Sequence, residues 1–324
     1  MKKFKTSLIL AVVIALVGVF FALTVCTAAD TGKKHSYVMI VHDVSSSFSA
    51  EFNRGATDAA KIFSVNFKYM GTTGIDIPKQ VAMFENAVEG AYDGIMATIF
   101  DQKAFERGIQ KARDKGIAVV SFNLDGDWGQ RATLGYAGAD EYKAGLSIGN
   151  YFFKEVMKGK GSYVLLPAIA DLFVLIQRKE GIKKAAEAYP DIKYLGEVEI
   201  GTDLTKAQSA TENAYTRYPE ATALIGTDHF SEGVANFLVA KRLKGKVWGA
   251  GFDITPGMLK AIKMGAIQAT QGQNPYLQGF YSVMQLWLYQ EKGIPPVELD
   301  TGHELVTRDN IDMYLKKYDV KIEQ

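Results

Sequence analysis

From Tyr37 onward, short apolar runs alternate with longer amphipathic stretches. The run over 37–41 predicts a first strand and is followed by a helical stretch over 51–63. A strand near Phe67, a helix over 79–91, a strand over 94–99, a helix over 103–115 and a strand over 118–122 come next. Each run is nearly continuous rather than alternating, which is the pattern of a strand covered on both faces. Strands and helices in this order predict βαβ units on a parallel sheet.

The cycle then repeats. Runs over 162–166, 198–200, 223–226 and 247–252 read as strands, with helices over 175–188, 205–218, 232–240 and 256–263 between them. Gly116, Gly159, Gly161, Gly245 and Gly265 stand where these helices should stop, as C-terminal caps do. No low-complexity tract separates the halves, so the expected fold is α/β, with two doubly wound parallel-sheet lobes joined by short crossings.

How the strands end carries the chemistry. Asp43, Asp101, Asp125, Asp228 and Asp253 each close an apolar run, and Asn123 lies two residues before Asp125. Open α/β sheets bind ligands beyond the carboxyl ends of their strands, so two facing sheets would bring these groups to one cleft. Carboxylates and amides there suit hydroxyl groups, and Phe48, Phe100, Trp128 or Phe230 could cover the C–H faces of a ring. An aspartate just before a helix is equally a standard N-cap, so no single one of these residues decides the matter. That all five runs end alike favours a shared site.

The N-terminus has its own pattern. Lys2, Lys3 and Lys5 precede an uncharged run over 8–25 and the small residues Thr27, Ala28 and Ala29. That is the layout of a secretory signal over 1–29, with an uncleaved anchor as the alternative because the run nearly matches a bilayer core. Cys26 is the only cysteine, so no internal disulfide forms, and its place after Leu23-Thr24-Val25 opens a second alternative, a lipoprotein signal ending at Cys26. Cleavage after Ala29 leaves 34 basic against 36 acidic residues. This balance gives no footprint for nucleic acid or for an anionic membrane.

Signals for catalysis and cofactors are poor. Gly249-Ala250-Gly251 lacks the third glycine of a dinucleotide fingerprint, and there is neither a phosphate-binding GxxxxGK[ST] loop nor a GxSxG elbow. His35, His42, His229 and His303 show no metal-ligand spacing. His42-Asp43 near Ser45-Ser46-Ser47 holds the residue types of a hydrolytic triad, but neighbours on a strand point to opposite faces and cannot readily orient each other. No cofactor, metal or catalytic residue is expected.

Several segments carry a family resemblance. These are residues 41–48 (Val-His-Asp-Val-Ser-Ser-Ser-Phe), 118–123 (Ala-Val-Val-Ser-Phe-Asn), 136–140 followed by Ala144-Gly145, 251–256 (Gly-Phe-Asp-Ile-Thr-Pro) and 273–279 (Gln-Asn-Pro-Tyr-Leu-Gln-Gly). Over roughly 36–310 the chain resembles the ribose-type periplasmic sugar-binding proteins, the solute receptors of sugar ABC transporters, which share their fold with LacI-type regulator cores.

The resemblance implies three interdomain crossings, near Gly138, near 271–273 and near Gly302. One lobe would then be 36–137 plus 274–302 and the other 138–273 plus 303–324. It implies a stacking aromatic at Phe48 beside Ser46 and hydroxyl-binding groups at Asn123, Thr227, Asp253 and Gln273; Asp125 and Asp228 join the candidate site as strand-end carboxylates. It also departs from the family. Two arginines fall at Leu124 and Ile176, a second stacking aromatic falls at Leu204, and Ser49 follows Phe48. Neither leucine nor isoleucine replaces the fixed donor fork of arginine, so a less cationic and more apolar pocket is expected.

The implied role is a periplasmic, monomeric receptor that captures a small neutral polar ligand, such as a monosaccharide or related polyol, and passes it to an ABC permease. Its membrane contact would be that permease or a lipid on Cys26. An exported sensor docking on a chemoreceptor or kinase could share every residue named, and a cleft-carboxylate glycosidase is the enzymatic alternative.

Overall fold

A computed structural model describes residues 34–125 and 132–322. The signal reading over 1–29, Cys26 and Trp128 lie outside the described residues. The chain opens with β1 (Ser36–Val41), α1 (Ser47–Ile62), β2 (Asn66–Gly71), α2 (Ile77–Glu89), β3 (Gly94–Ile99), α3 (Gln102–Asp114), β4 (Ala118–Asp125) and β5 (Tyr136–Gly138). It continues through α4 (Glu141–Tyr151), β6 (Lys160–Leu166), α5 (Phe173–Ala186), β7 (Asp191–Glu197), α6 (Leu204–Arg217), β8 (Ala223–Gly226), α7 (Ser231–Ala240), β9 (Trp248–Phe252), α8 (Pro256–Met264) and β10 (Ala269–Gly272). The chain then returns through α9 (Pro275–Lys292) and β11 (Glu298–Asp300) and closes with β12 (Glu304–Thr307) and α10 (Ile311–Lys317).

These strands form two six-stranded sheets, ordered β11-β5-β4-β3-β1-β2 and β12-β10-β9-β8-β6-β7. Pairing is parallel except between β10 and β12. The expected α/β architecture of two doubly wound lobes is present, and the chain passes between the sheets after β5, after β10 and after β11. Each sheet is covered on both faces. Tyr37, Met39 and Val41 of β1 meet Phe52 of α1 and Val283 and Leu286 of α9, whereas Val38 and Ile40 meet Phe84 of α2 and Phe105 of α3. This period-two division is why β1 reads as one unbroken apolar run. In the second sheet Val164, Leu166 and Leu224 face α6, α7 and α8, while Tyr163, Leu165 and Ile225 face α4 and α5.

Two local expectations need correction. The strand expected over 198–200 lies earlier, at Asp191–Glu197. β7 is an edge strand, so Asp191 and Lys193 are exposed on either side of buried Ile192, and the alternation hides it from a search for continuous apolar runs. Gly161 does not stop a helix. It sits inside β6 at φ 121°, where an added Cβ would meet Thr222 Oγ1 at 2.5 Å. Gly265 is a left-handed C-cap of α8, as expected.

The return helix α9 lies closely against α1. A Cβ on Gly55 would stand 1.9 Å from the Tyr276 carbonyl oxygen, and one on Gly279 would stand 2.1 Å from that of Phe52. Only glycine permits this approach, and it brings the start of α9 beside the ends of the first sheet.

Candidate ligand site

The carboxyl ends of both sheets border one hollow of about 570 Å³, its mouth included. Of the candidate residues, Phe48, Asn123, Asp228, Asp253 and Gln273 line it, together with Phe100 and Phe230. Ser46, Asp125 and Thr227 do not. Ser46 is the N-cap of α1 and accepts from the Ser49 N–H at 3.1 Å. Asp125 accepts from the Ser121 hydroxyl and, at 3.2 Å, from that of Thr133. Thr227 is fully buried behind the wall, its Oγ1 without a partner among the described residues.

The other strand-end aspartates are structural. Asp43 accepts from the backbone N–H groups of Ser45 and Gly74, both at 2.9 Å, and Asp101 caps α3. His42 Nδ1 meets Thr98 Oγ1 at 3.1 Å, so the His42–Asp43 pair has no triad geometry.

Backbone distortion aims the polar groups. β4 pairs Ala97 with Ser121 but Ile99 with Asp125, so a bulge interrupts the strand around Asn123. Asn123 lies at φ 59°, in the left-handed region, and its carbonyl accepts from Tyr136 Oη at 2.9 Å. Asp253, past the end of β9, lies at φ 69°, its backbone held by bonds to Gln271 and Thr270, each 2.8 Å. Asn274, beginning the crossing into α9, lies at φ 56°. Non-glycine residues enter this region at a cost, and such residues gather where side chains must be aimed.

One hydrogen-bonded relay joins the sheets. Asn123 Nδ2 donates to Gln273 Oε1 at 3.0 Å, and Gln273 Nε2 donates to Asp253 Oδ1 at 2.8 Å. The Gln273 carbonyl accepts from Gln278 Nε2 at 2.8 Å and from Thr301 Oγ1 at 3.0 Å, which anchors the second and third crossings to each other. The Thr301 N–H donates to the Gly138 carbonyl at 2.9 Å and includes the first crossing.

Asp228 has a different role. Its two oxygens accept from the N–H groups of Ala168, at 2.6 Å, and Phe230, at 2.8 Å. It thereby ties the β6–α5 and β8–α7 loops together. Burial pushes its carboxyl up to about 6, against the pull of those N–H groups and of Arg178. His42 moves the other way. Burial pushes its imidazole down to about 4, assisted by His229 and opposed by Asp43.

Arg178 is a charged lining residue that sequence reasoning missed. It stands two positions beyond Ile176, which does not line the hollow, and Leu204 does not line it either. Arg178 Nε donates to Glu141 at 2.6 Å, Nη1 donates to the Thr227 carbonyl at 2.8 Å, and its guanidinium lies 4.6 Å from the Phe252 ring centroid. Burial opposes its charge, but the adjoining Glu141 carboxylate outweighs that and keeps it cationic. The sequence Gln177-Arg178-Lys179 looks like an exposed helix face, and no local signal marks the arginine as buried.

The lining also includes an apolar wall. Leu124 from the first lobe packs with Val174 and Leu175 from α5, and Phe100, Leu172 and Phe173 lie against them. Among the described residues, no group of three or more His, Cys, Asp or Glu side chains could hold a metal ion. No helix among them is long and apolar enough to cross a membrane.

A sequence profile described as the periplasmic binding protein domain matches residues 37–293. The chain belongs to this family. A xylose/arabinose-binding protein of Sulfolobus acidocaldarius is 27% identical, covering 86% of this chain and 72% of that protein. A solute-binding protein of Burkholderia graminis, solved in complex with D-arabinose, is 27% identical with a TM-score of 0.78, covering 86% of this chain and 97% of the other. One from Agrobacterium vitis, bound to α-D-tagatopyranose, superposes at TM-score 0.81 over 90% of this chain and all of the other. At 21% identity, that last likeness concerns the fold. The family resemblance read from the motifs is thus matched by the comparisons.

Proposed function

We infer that this member of the periplasmic binding protein family is an extracytoplasmic receptor. It holds a monosaccharide or related polyol between lobes comprising 36–137 with 274–302 and 138–273 with 303–324, and delivers it to the permease of an ABC transporter. The relay Asn123–Gln273–Asp253 carries this reading. It joins the strand ends of both sheets and presents amide and carboxylate groups beside the aromatic rings of Phe48, Phe100 and Phe230. A ligand touching both lobes binds the closed arrangement more tightly and draws the population toward it.

The glycosidase alternative meets a geometric obstacle. Two carboxyl groups must exchange protons with substrate and water, yet both oxygens of Asp228 already accept backbone N–H groups.

Thermal-shift screening of the exported body against sugars and polyols tests the inference, since a specific ligand raises stability by mass action. At least one compound should raise Tm, and small-angle scattering should show compaction with it. In Asp253→Asn the same compound should bind at least about tenfold more weakly, because one charge-assisted hydrogen bond is lost. A panel without a hit, or slow hydrolysis of a bound glycoside, would sink the receptor reading.

A further inference from the structure

The hollow has two unlike sides. On the polar side, Asn123 commits its amide nitrogen to Gln273, Asp253 commits one oxygen to the same residue, and Arg178 commits Nε and Nη1. Among these three residues this leaves to the hollow an amide oxygen, a carboxylate oxygen and the second η nitrogen. The His42, Thr202 and His229 side chains line it too, His229 Nδ1 without a partner among the described residues. These groups together accept from and donate to hydroxyls.

The apolar side is built from Leu124, Leu172, Val174, Leu175 and Phe100. Leu124, Val174 and Leu175 are 7%, 8% and 3% exposed and pack against one another. The wall therefore offers no side-chain donor or acceptor.

A hydroxyl turned toward these side chains leaves water and gains no side-chain partner, which weakens binding. A hexose whose exocyclic CH2OH lies on this side cannot avoid that loss. A sugar with a methyl group at one edge can, because the methyl fills the apolar side while the remaining hydroxyls meet the polar side. Resting on the receptor reading above, we propose that the ligand is a methyl-bearing deoxy sugar of the 6-deoxyhexose class, its methyl group seated on Leu124, Val174 and Leu175.

An apolar pocket discriminates against an added hydroxyl by roughly 10- to 100-fold. The test is isothermal titration of the exported body with matched pairs: L-fucose and L-galactose, L-rhamnose and L-mannose, D-fucose and D-galactose, 6-deoxy-D-glucose and D-glucose. One deoxy member should bind roughly tenfold or more tightly than its parent. If a parent hexose or a pentose binds as well as or better than every deoxy sugar, the proposal falls while the receptor reading stands. If no sugar or polyol binds, both fall.

Val174→Thr then separates a ligand-facing wall from a merely structural one. The change keeps shape and adds a hydroxyl to the apolar side. It should narrow the gap within the preferred pair several-fold, because the parent's extra hydroxyl gains a partner. An equal change in both affinities would mean that the wall only packs the lobes together, and would overturn the assignment.

Discussion

Replacing Arg178 by methionine leaves the Glu141 carboxylate buried without its cation. The two side chains are 4% and 3% exposed and 2.6 Å apart, and the same substitution strips the Thr227 carbonyl of its 2.8 Å donor. Glu141 Oε1 already lacks a partner among the described residues, so no ready acceptor bond compensates. Breaking a buried pair from one side costs about 3–5 kcal/mol. That is a large share of the ~5–15 kcal/mol that ordinarily holds a native fold. Urea denaturation followed by fluorescence and circular dichroism would measure the loss as a lowered midpoint at unchanged slope. The penalty should shrink in acid, where Glu141 becomes neutral and cheaper to bury. The double variant Arg178→Met/Glu141→Leu should regain most of the lost stability, because well-packed apolar replacements of a buried pair are often neutral or better. A single variant costing under about 1 kcal/mol, or a double variant no more stable than the single one, would refute the role assigned to this pair.

Two other perturbations give sharp expectations. Asp228, raised from 3.8 to about 6, contributes stability that is full below pH 3.8 and is lost as pH rises through 6. His42, lowered from 6.5 to about 4, contributes stability that is full above pH 6.5 and is lost as pH falls through 4. Each amounts to about 3 kcal/mol, so the two oppose each other between pH 4 and 6.5. His42→Asn should therefore gain stability, relative to the unchanged protein, as pH falls across that window, and Asp228→Asn should lose it; parallel profiles in urea titrations at pH 4 and 7 would contradict this. Gly279→Ala gains up to about 1 kcal/mol of helix propensity but drives a methyl to 2.1 Å from the Phe52 carbonyl oxygen, so a net loss of about 1–3 kcal/mol should appear as a lower Tm; an unchanged or raised Tm would show that α1 and α9 separate without penalty.

The local pattern of the chain carried the architecture because strands buried on both faces must be apolar along their whole length. β1, β3 and β4 announce themselves in this way, with every residue of β3 and β4 buried. Edge strands obey a weaker rule, which displaced β7. β11 has three residues with exposed Glu298 and Asp300 at its ends, and it left no trace of its own. At the site, Asn123 and Asp253 were legible as strand-end residues and Gln273 through the family resemblance, and they are the three that the relay joins. Asp43, Asp101 and Asp125 carried the same signature, yet loop closure and helix capping take them up.

What the order of residues determined by itself was the alternation of elements, the two-lobe topology and the short set of polar groups at the strand ends, because burial and helix amphipathicity impose local periodicities. Tertiary structure decided which of those groups share a cavity. It also decided that Arg178 turns inward to Glu141, 37 positions earlier in the chain, and that Leu124 meets Val174 and Leu175 in one wall. These are contacts between residues far apart in sequence, and a buried charge or a shared surface leaves no periodic mark on the segments that form it. Only the packing of both lobes brings them together.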